Sequence, residues 1–471
     1  MVRRYGLLAL AGLLAGGFLL LALLAPRLVG RGPAGLAGRY QPVTIDLNRP
    51  IDPDSVSDRF FLSPSVAGQL RVDGRQIVFE PNQPWAYEQR YTVSLKAGVA
   101  GLNRLPLLRG ASWSFELAPP RLLYLHEIDG LVNLWRLEDG GQPRRLTQEP
   151  AGVWDYAALP DGSGVLYSAL DQAEGGLDGA DQTLDLVLLD QAGARTLLLD
   201  CTDALCRSPA PQPGGRLVAY ERQPLDGEFG DTELWLLDLD DGRSWPAPVQ
   251  ETLAAAGYDA PYGRYPVWSP DGRRLAAYRP DANLVLVLTF DDGEPIDSIT
   301  IPANLETMAG WSPDGRTLAY TELAFGQTEP HEHVDEAGNV ISHTRPSLYQ
   351  HVVLVDVDGR EAVDISAGLE VDEGRPAWRP SGEMLAIPRS TTGAGKQLFL
   401  VSPDGGELAQ LTDDPLYNHS ALAWSPDGRF LAFMRLPRAD GSSNPAVMWY
   451  DMESDEISLI AEGAFLPNWW P

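Results

Sequence analysis

A repeated turn sequence constrains the fold of this chain more than any other feature. Its copies lie at Trp268–Gly272, Trp311–Gly315 and Trp424–Gly428, which all read Trp-Ser-Pro-Asp-Gly, and in weaker form at Trp378–Gly382, 159–162, 212–215 and 469–471. The prolines of successive copies are 53, 57, 43, 67, 46 and 45 residues apart. Self-similarity at such a spacing predicts a repeat architecture in which each copy contributes one supersecondary unit.

The residue types of the turn explain why it joins two strands. Serine opens a β-turn, proline presets φ at the next position, and glycine tolerates the positive φ at the end. A strand ending in tryptophan precedes the turn, and a strand of apolar and aromatic residues such as Leu275–Tyr278 follows it. A third strand, a second Asp-Gly turn and an outer strand complete the unit, as in Leu398–Val401, 404–405 and Leu408–Leu411. Four antiparallel strands per repeat predict the blade of a β-propeller.

The repeats resemble the TolB-like, WD-type propellers of bacterial exported proteins. The resemblance rests on the three intact Trp-Ser-Pro-Asp-Gly copies and covers residues 119–471. It implies an all-β propeller domain. Because TolB-like propellers act as protein–protein adaptors at the envelope, it also implies an envelope or extracellular protein partner. The motif is specific for the fold and not for a function.

The two ends of the repeat region predict how the ring closes. Phe465–Pro471 matches an inner strand, whereas Arg121–Leu125, Leu134–Leu137 and Pro143–Thr147 match the second, third and outer strands of a first blade. We therefore expect the last residues to complete the first blade, which removes exposed sheet edges. Counting this blade predicts seven blades, with six as the alternative if one weak copy does not form a blade.

Residues 1–39 are typical of a membrane anchor followed by a stalk. Gly6–Ala25 carries no charge, and a helix of about 20 residues spans a hydrocarbon core of ~30 Å. This apolar run is longer than the core of a cleavable signal peptide. We expect a single-pass transmembrane helix, or a secreted protein if the segment is cleaved. The following Pro26–Gly38 is rich in Gly, Pro and Arg, as flexible stalks often are.

Residues 40–118 predict a small β-sandwich. Short strand-like runs, Val43–Leu47, Gln76–Phe79, Tyr91–Lys96 and Trp113–Leu117, alternate with turn residues, a pattern that favours a sandwich. The segments VTIDLNRPIDPDSV, IVFEPNQPWAYEQRYTVSLKAG and SWSFEL resemble the bacterial Ig-like domain of exported proteins. The resemblance implies a spacer or adhesion module, and we expect a spacer.

Charge and cysteine usage narrow the partners and the compartment. The formal net charge is −29, which makes nucleic acid a poor partner because phosphate binding needs clustered Lys and Arg. Cys201 and Cys206 are the two cysteines of the chain. Their proximity predicts a disulfide in an oxidising compartment. We therefore expect the bulk of the chain to lie outside the cytoplasm, tethered to the cell membrane.

Long insertions between strands are expected to lie on one face of the ring, where propellers carry binding loops. They are Ser168–Thr183, Glu221–Glu233, Thr321–Gln350 and Met434–Pro445. The third contains His331, His333 and His343, which predict a zinc or copper site, with a polar solvent-exposed hairpin as the alternative. The loop Asp171–Asp185, which overlaps the first insertion, is acidic and makes calcium possible, although its spacing does not fit an EF-hand loop. Its carboxylates are Asp171, Glu174, Asp178, Asp181 and Asp185.

Known catalytic motifs are missing from the sequence. It contains no Gly-x-Ser-x-Gly nucleophile elbow, P-loop or His-Glu-x-x-His pattern, the signatures of several large enzyme classes. The sequence therefore predicts an extracytoplasmic binding or scaffold protein and not an enzyme. The alternative is an envelope hydrolase or lyase with its site in the axial cavity of the propeller.

Overall fold

The computed structural model describes most of the chain as two compact units, Met1–Pro119 and Pro120–Pro471. The described residues are 24–33, 35–36, 42–83, 85–86, 89–116, 121–137, 141–172, 182–226, 231–249, 251–291, 293–334, 340–390, 394–438 and 444–470, without the side chains of 252, 328–334, 341–343 and 345. The protein is all-β, as predicted.

The first unit is a sandwich of two four-stranded sheets. Its strands are β1 Leu28–Gly32, β2 Gly35–Leu36, β3 Val43–Leu47, β4 Phe60–Ser63, β5 Gly68–Asp73, β6 Gln76–Pro81, β7 Arg90–Leu95 and β8 Ala111–Glu116, with a 3-10 turn at Pro53–Ser55. The sheet orders are β1-β3-β6-β5 and β2-β8-β7-β4. The four strand-like runs of the sequence all form strands, in β3, β6, β7 and β8.

Aromatic residues hold the two sheets of the sandwich together. Trp85 is almost fully buried, and its ring centroid lies 4.8 Å from that of Tyr91 and 5.1 Å from that of Phe115. Alternate residues of β3, Val43, Ile45 and Leu47, point into the same core. The period of two that predicted these strands therefore reflects one buried and one solvated face.

The predicted transmembrane helix, Gly6–Ala25, lies almost entirely outside the described residues. Within the part of the chain that the structure describes, no helix has the length and apolar character needed to cross a membrane.

The second unit has a propeller-type fold. Its elements are β9 Arg121–Ile128, β10 Leu131–Leu137, β11 Pro143–Arg145, β12 Val153–Ala158, β13 Gly164–Gln172, β14 Gln182–Asp190, β15 Arg195–Leu199, β16 Ala204–Pro211, β17 Leu217–Pro224, β18 Glu233–Asp238, β19 Ser244–Pro246, α1 Glu251–Ala255, β20 Arg264–Trp268, β21 Arg274–Arg279, β22 Leu284–Asp291, β23 Glu294–Pro302, β24 Gly310–Trp311, β25 Thr317–Val334, β26 Val340–Asp356, β27 Ala362–Asp364, β28 Asp372–Glu373, β29 Ala377–Trp378, β30 Leu385–Ser390, β31 Gln397–Val401, β32 Glu407–Gln410, β33 Tyr417–Trp424, β34 Phe430–Pro437, β35 Ala446–Asp451, β36 Glu456–Glu462 and β37 Ala464–Trp470.

Consecutive antiparallel strands form the sheets of this unit. Four-stranded sheets comprise β20–β23, β24–β27 and β33–β36, and β28 to β32 form another in which β28 and β29 both pair with β30. Strands β12 to β19 form one larger sheet, in which a parallel bridge between Leu184 and Leu205 joins β14 to β16. The remaining sheet has the order β11-β10-β9-β37.

The predicted ring closure is confirmed by the pairing of β37. This strand runs antiparallel to β9, with Trp469 opposite Leu122 and Phe465 opposite Leu125. Strands β10 and β11 continue the sheet outward. Strands from opposite ends of the unit thus share one sheet, so the circle of sheets has no free inner edge at this point.

Hydrogen bonds within the repeated turn account for its residue types. In the turn that follows β20, the Ser269 hydroxyl donates to Asp271 at 2.6 Å, and the same carboxylate accepts the Arg273 N–H at 3.0 Å. The Ser269 oxygen also accepts the Arg274 N–H at 2.9 Å, and Gly272 adopts a φ of 68°. The turns after Trp311 and Trp424 repeat these contacts. Serine and aspartate therefore satisfy backbone groups that the tight turn leaves unpaired.

A tryptophan before the turn connects neighbouring sheets in four copies of the repeat. The indole N–H of Trp311 donates to the Val267 carbonyl of the preceding sheet at 3.1 Å. Trp268 and Trp424 make the equivalent bonds, as does Trp469 of β37. Trp378 differs, because its indole nitrogen is buried without a hydrogen-bond partner among the described residues.

This difference offers a matched pair of substitutions. Trp311→Phe and Trp378→Phe remove the same part of the indole, but Trp311→Phe alone also leaves a carbonyl without its donor. We expect Trp311→Phe to lower the free energy of unfolding by about 1–3 kcal/mol more than Trp378→Phe, as measured by urea denaturation. Equal losses in the two variants would show that the inter-sheet hydrogen bond contributes little.

A disulfide joins Cys201, which follows β15, to Cys206 within β16. Both sulfur-bearing side chains are buried, and they pack with Leu186, Val218 and Tyr220. The link therefore pins the connection between two successive strand groups of the large sheet.

Removing the disulfide is expected to destabilise the propeller. A loop this short corresponds to a loss of about 2 kcal/mol in the free energy of unfolding, which a Cys201→Ala/Cys206→Ala variant should show in chemical denaturation. The reduced wild-type protein serves as the control, because it keeps both sulfur atoms in the core. A double variant as stable as the oxidised wild type would contradict this expectation.

Candidate functional site

One position of the repeat lines a cavity along the axis of the propeller. It lies five residues before each motif proline, and its seven occupants are Asp155, Ser208, Tyr265, Met308, Arg375, Ala421 and Leu466. All seven line the same cavity, whose volume is about 450 Å³. We call these residues the channel ring. These residues can be found from the sequence, because aligning the inner strands on the motif proline places all seven at the same repeat position.

Bulges in the inner strands shape this part of the channel. The pairing register shifts between Arg207 and Ala210 and between Arg264 and Val267. Ser208 and Tyr265, which lie in these bulges, have φ values of 54° and 56°. Ala421 and Leu466 occupy matching bulges with φ values of 50°. Left-handed backbone is costly for residues with a Cβ, and a bulge re-aims the side chain that carries it.

Asp155 is the acidic member of the channel ring. Its carboxylate accepts the Ser208 N–H at 2.6 Å and the Ser168 hydroxyl. Burial raises the pKa of Asp155 to about 6, and the two hydrogen bonds only partly oppose that shift. Because the carboxyl also borders the cavity, the channel contains a group that exchanges a proton close to neutral pH.

Tyr265, two positions from Asp155 in the ring order, is held by a second set of acids. Its N–H donates to Glu221 at 2.8 Å, and its hydroxyl donates to Glu306 at 2.8 Å. Glu221 is itself paired with Arg207 at 3.1 Å. Burial, followed by the bond to Glu306, raises the pKa of Tyr265 to about 12. The phenol therefore stays neutral and fixed in orientation.

Arg375 is the basic member of the channel ring. Its side chain borders the cavity and is exposed to solvent, and partial desolvation by the neighbouring protein lowers its pKa to about 10. Its neighbours in ring order, Met308 and Ala421, are apolar. The channel ring is thus polar and acidic at Asp155 and Tyr265. It is basic at Arg375, which belongs to a different sheet.

The arrangement can bind a small polar molecule and exchange a proton with it. A volume of about 450 Å³ is within the range of small-molecule sites, which combine apolar walls with a few converging polar groups. Groups with displaced pKa values inside a cavity are typical of functional sites. Asp155 could accept or donate a proton, whereas Arg375 could neutralise a negative charge.

The residues predicted to bind metal lie elsewhere. His331 and His343 are opposite each other on the hairpin of β25 and β26, and His333 is opposite Ile341, but the side chains of these histidines lie outside the described residues. His351, at the base of the hairpin, has both ring nitrogens in contact with oxygen atoms, those of Asp364 and Leu369. The zinc site stays a prediction.

The acidic segment predicted as a possible calcium site is only partly described. Glu174, Asp178 and Asp181 lie outside the described residues, and Asp185 accepts the Cys201 N–H at 2.9 Å. Within the described part of the chain, no group of three or more His, Cys, Asp or Glu residues has a geometry suited to a metal ion.

Comparison with known proteins identifies a relative named as a peptidase. Over 218 residues the chain is 26% identical to "Uncharacterized peptidase YuxL" of Bacillus subtilis (strain 168), an alignment that covers 42% of this chain and 30% of the relative. The chain thus spans less than a third of that relative's length. Residues 25–116 match the family model of the bacterial Ig-like domain, which confirms the resemblance of the first unit.

Solved structures similar to this chain include a putative TolB from Agrobacterium tumefaciens, with 16% identity, a TM-score of 0.40, and coverage of 73% of this chain and 90% of that one. An oligogalacturonate lyase from Vibrio parahaemolyticus has 13% identity, a TM-score of 0.48, and coverage of 71% and 88%. A prolyl endopeptidase has 13% identity, a TM-score of 0.49, and coverage of 74% and 50%. Structural similarity with TM-scores below 0.5 does not indicate an activity for this chain.

The prediction that the chain is not an enzyme is contradicted by the relative that is named as a peptidase. The prediction rested on missing short motifs. Short motifs find sites whose residues are close in the chain, whereas the channel ring brings together single residues that are 43 to 67 positions apart. Such a site has no local sequence signature.

The raised pKa of Asp155 predicts a specific pH dependence of stability. The folded protein keeps this proton up to about pH 6, whereas the unfolded chain releases it near pH ~4. Raising the pH across this interval therefore favours the unfolded state, by up to about 3 kcal/mol. The stability of the wild type relative to Asp155→Asn should fall between pH 4 and pH 6 and stay constant above pH 7, as measured by urea denaturation. A constant difference over the whole range would contradict the assignment.

Proposed function

We propose that this protein is an envelope hydrolase that takes a small peptide-like substrate into the axial channel of a seven-bladed propeller. One observation carries the proposal: a carboxyl with a pKa near neutrality, that of Asp155, borders a cavity of small-molecule size. The relative named as a peptidase favours peptide bonds as the target.

The count of seven blades is an inference from the inner strands. We count β12–β15 and β16–β19 as two blades, because the parallel pair of Leu184 and Leu205 is a weak link compared with the antiparallel ladders within each half. Each half also contributes one residue to the channel ring, Asp155 and Ser208 respectively. The six-bladed alternative would require one of these inner strands to leave the ring.

Asp155 is suited to act as a general base in such a reaction. Its carboxylate would take a proton from a water molecule as the water oxygen bonds to the substrate carbonyl carbon, and the Asp155 carboxyl would then give that proton to the amine nitrogen as the C–N bond breaks. A base works best when its pKa lies near the working pH. The Ser208 N–H and the Ser168 hydroxyl hold the carboxylate in place while it does so.

We further propose an extracytoplasmic location, with Gly6–Ala25 as a membrane tether. The disulfide between Cys201 and Cys206 supports this location, because such bonds persist in oxidising compartments. A protein partner at the envelope stays a prediction from the resemblance to TolB-like propellers.

The reaction can be tested with the full-length protein in detergent and a mixture of tri- to pentapeptides. Mass spectrometry should detect new cleavage products with the wild type, at a rate that rises as the pH passes through about 6. Asp155→Asn should lower the rate about a hundredfold or more. Asp161→Asn is the matched control, because Asp161 lies in a turn where it binds Ser163. Products that form equally fast with Asp155→Asn, or no products with the wild type, would refute the proposal.

A further inference from the structure

His351 is buried in the propeller with an oxygen atom at each of its two ring nitrogens. It is 4% exposed and lies on β26, at the base of the long hairpin formed by β25 and β26. Its Nδ1 lies 2.9 Å from a carboxylate oxygen of Asp364, and its Nε2 lies 3.1 Å from the backbone carbonyl oxygen of Leu369. A carboxylate and a carbonyl only accept hydrogen bonds, so both ring nitrogens have to donate.

These two contacts require one proton more than a neutral imidazole carries. A neutral ring has one N–H donor and one nitrogen that only accepts, whereas the protonated ring has two donors. In the neutral ring, the nitrogen without a proton would therefore face the lone pairs of an oxygen. Whether the added proton lies on the ring or on Asp364, the pair as a whole holds it.

The charges around His351 also favour the protonated ring. Carboxylates approach it from strands β25, β27 and β28, and they are those of Glu322, Asp364, Asp372 and Glu373. Two cations adjoin this group. Arg389 is paired with Glu373 and Glu407, and the Lys396 ammonium donates to the Glu373 carbonyl at 2.9 Å. The ring of Tyr349, stacked at 6.2 Å between centroids, adds no charge at neutral pH. Negative groups thus outnumber the positive ones, which stabilises a further positive charge on the imidazole.

The second acceptor, Leu369, belongs to the loop 365–371 that connects β27 to β28. Residues 367–370 of this loop are exposed. The hydrogen bond from the Leu369 N–H to the Ser366 carbonyl, at 3.0 Å, is internal to the loop, whereas the bond from His351 joins the loop to β26. The loop leads into β28 and on to Arg375, which borders the axial cavity.

We propose that His351 is a proton-operated latch, whose protonated ring holds the loop 365–371 closed and whose deprotonation releases it. This inference goes beyond the proposed hydrolase function and does not depend on it. When the proton leaves, the remaining N–H stays with the Asp364 carboxylate, because a charged acceptor forms the stronger hydrogen bond. The bare Nε2 then faces the Leu369 carbonyl, and that bond is lost. Histidine changes its charge between about pH 5 and pH 8, so the loop is closed at the acidic end of this range and open at the basic end.

His419 provides a matched comparison within the same propeller. It is 3% exposed, but among the described residues its ring contacts one acceptor, the Lys396 carbonyl oxygen, which lies 2.8 Å from Nδ1. A neutral ring satisfies one acceptor, and burial lowers the pKa of His419. The two histidines are equally buried, so the number of acceptors is what distinguishes them.

Hydrogen–deuterium exchange of the full-length protein in detergent, followed by mass spectrometry, tests the latch. After correction for the intrinsic effect of pH on amide exchange, the protection of the loop 365–371 should fall about tenfold or more between about pH 5 and pH 8. The turn 402–406 serves as the internal control. The Ser402 hydroxyl lowers the pKa of Asp404, so this turn keeps one charge state over the range and its protection should not change.

Two substitutions at the latch separate the proton from the packing. His351→Gln removes the titrating ring and should leave the loop poorly protected at both pH values. Asp364→Asn should leave it well protected at both, because the amide N–H donates to Nδ1 of a neutral ring whose Nε2–H still reaches the Leu369 carbonyl. The amide oxygen can also accept the Ser366 N–H, as Asp364 does at 2.9 Å.

Two further substitutions exclude protons at other sites. His419→Gln removes an equally buried histidine, and Asp155→Asn removes the carboxyl that exchanges a proton in the cavity. Both variants should keep the wild-type fall in protection of the loop 365–371. Thermal unfolding at both pH values verifies that every variant is folded, and Asp364→Asn decides the question if His351→Gln is not.

Several outcomes would overturn the assignment. They are equal protection of the loop at both pH values in the wild type, a fall in protection that persists in His351→Gln or in Asp364→Asn, and a fall that disappears in His419→Gln or Asp155→Asn. A fall that extends to the turn 402–406 would overturn it as well, because the proton would then act on the whole propeller and not on one loop.

Discussion

The hydrogen bond from a motif tryptophan to the preceding sheet sets the geometry of the propeller. In Trp268, Trp311, Trp424 and Trp469 the indole N–H donates to a backbone carbonyl at 2.9–3.1 Å. The acceptors are Ala210, Val267, Ala377 and Ala423, each three residues before the motif proline of its own sheet. The same pair of repeat positions therefore meets at four of the sheet boundaries, so the inner strands joined by these bonds keep a common height along the axis. The bond that Trp469 makes to Ala423 extends this rule to the sheet that closes the ring.

The channel ring is a consequence of that common height. Because equivalent residues lie at equivalent depths, the position five residues before each motif proline faces the axis in every inner strand, and its seven side chains border one cavity. The turn needs serine, proline and glycine, and the inter-sheet bond needs tryptophan, but nothing in the blade requires a particular residue at the ring position. Its occupants range from Asp155 to Leu466. The repeat is therefore constrained where it builds the scaffold and free to vary where it borders the cavity.

Asp155 and Arg375 border the same cavity, and desolvation shifts their pKa values in opposite directions. Asp155 keeps its proton to about pH 6 because burial disfavours its charged form, whereas Arg375 stays charged despite a lowered pKa of about 10. At neutral pH the cavity is thus bordered by a charged guanidinium and by a carboxyl whose pKa lies close to the ambient pH.

The amino-acid pattern was sufficient to predict the all-β class, the strands of the Ig-like unit and the pairing of β37 with β9. Each depends on local features: alternation with a period of two, turns whose residues preset φ, and a repeat that ends in the middle of a unit. The same local reasoning failed for activity, because it searched for short catalytic motifs and concluded that the chain is not an enzyme.

Only the tertiary structure decided which side chains share the axial channel. Asp155, Tyr265 and Arg375 are far apart in the chain, and the environments that raise or lower their pKa values exist only after the ring has closed around them. The sequence by itself determined the blade and its turns, because these follow from contacts within each repeat. The cavity and the raised pKa of Asp155 follow from contacts between repeats, which no single repeat encodes.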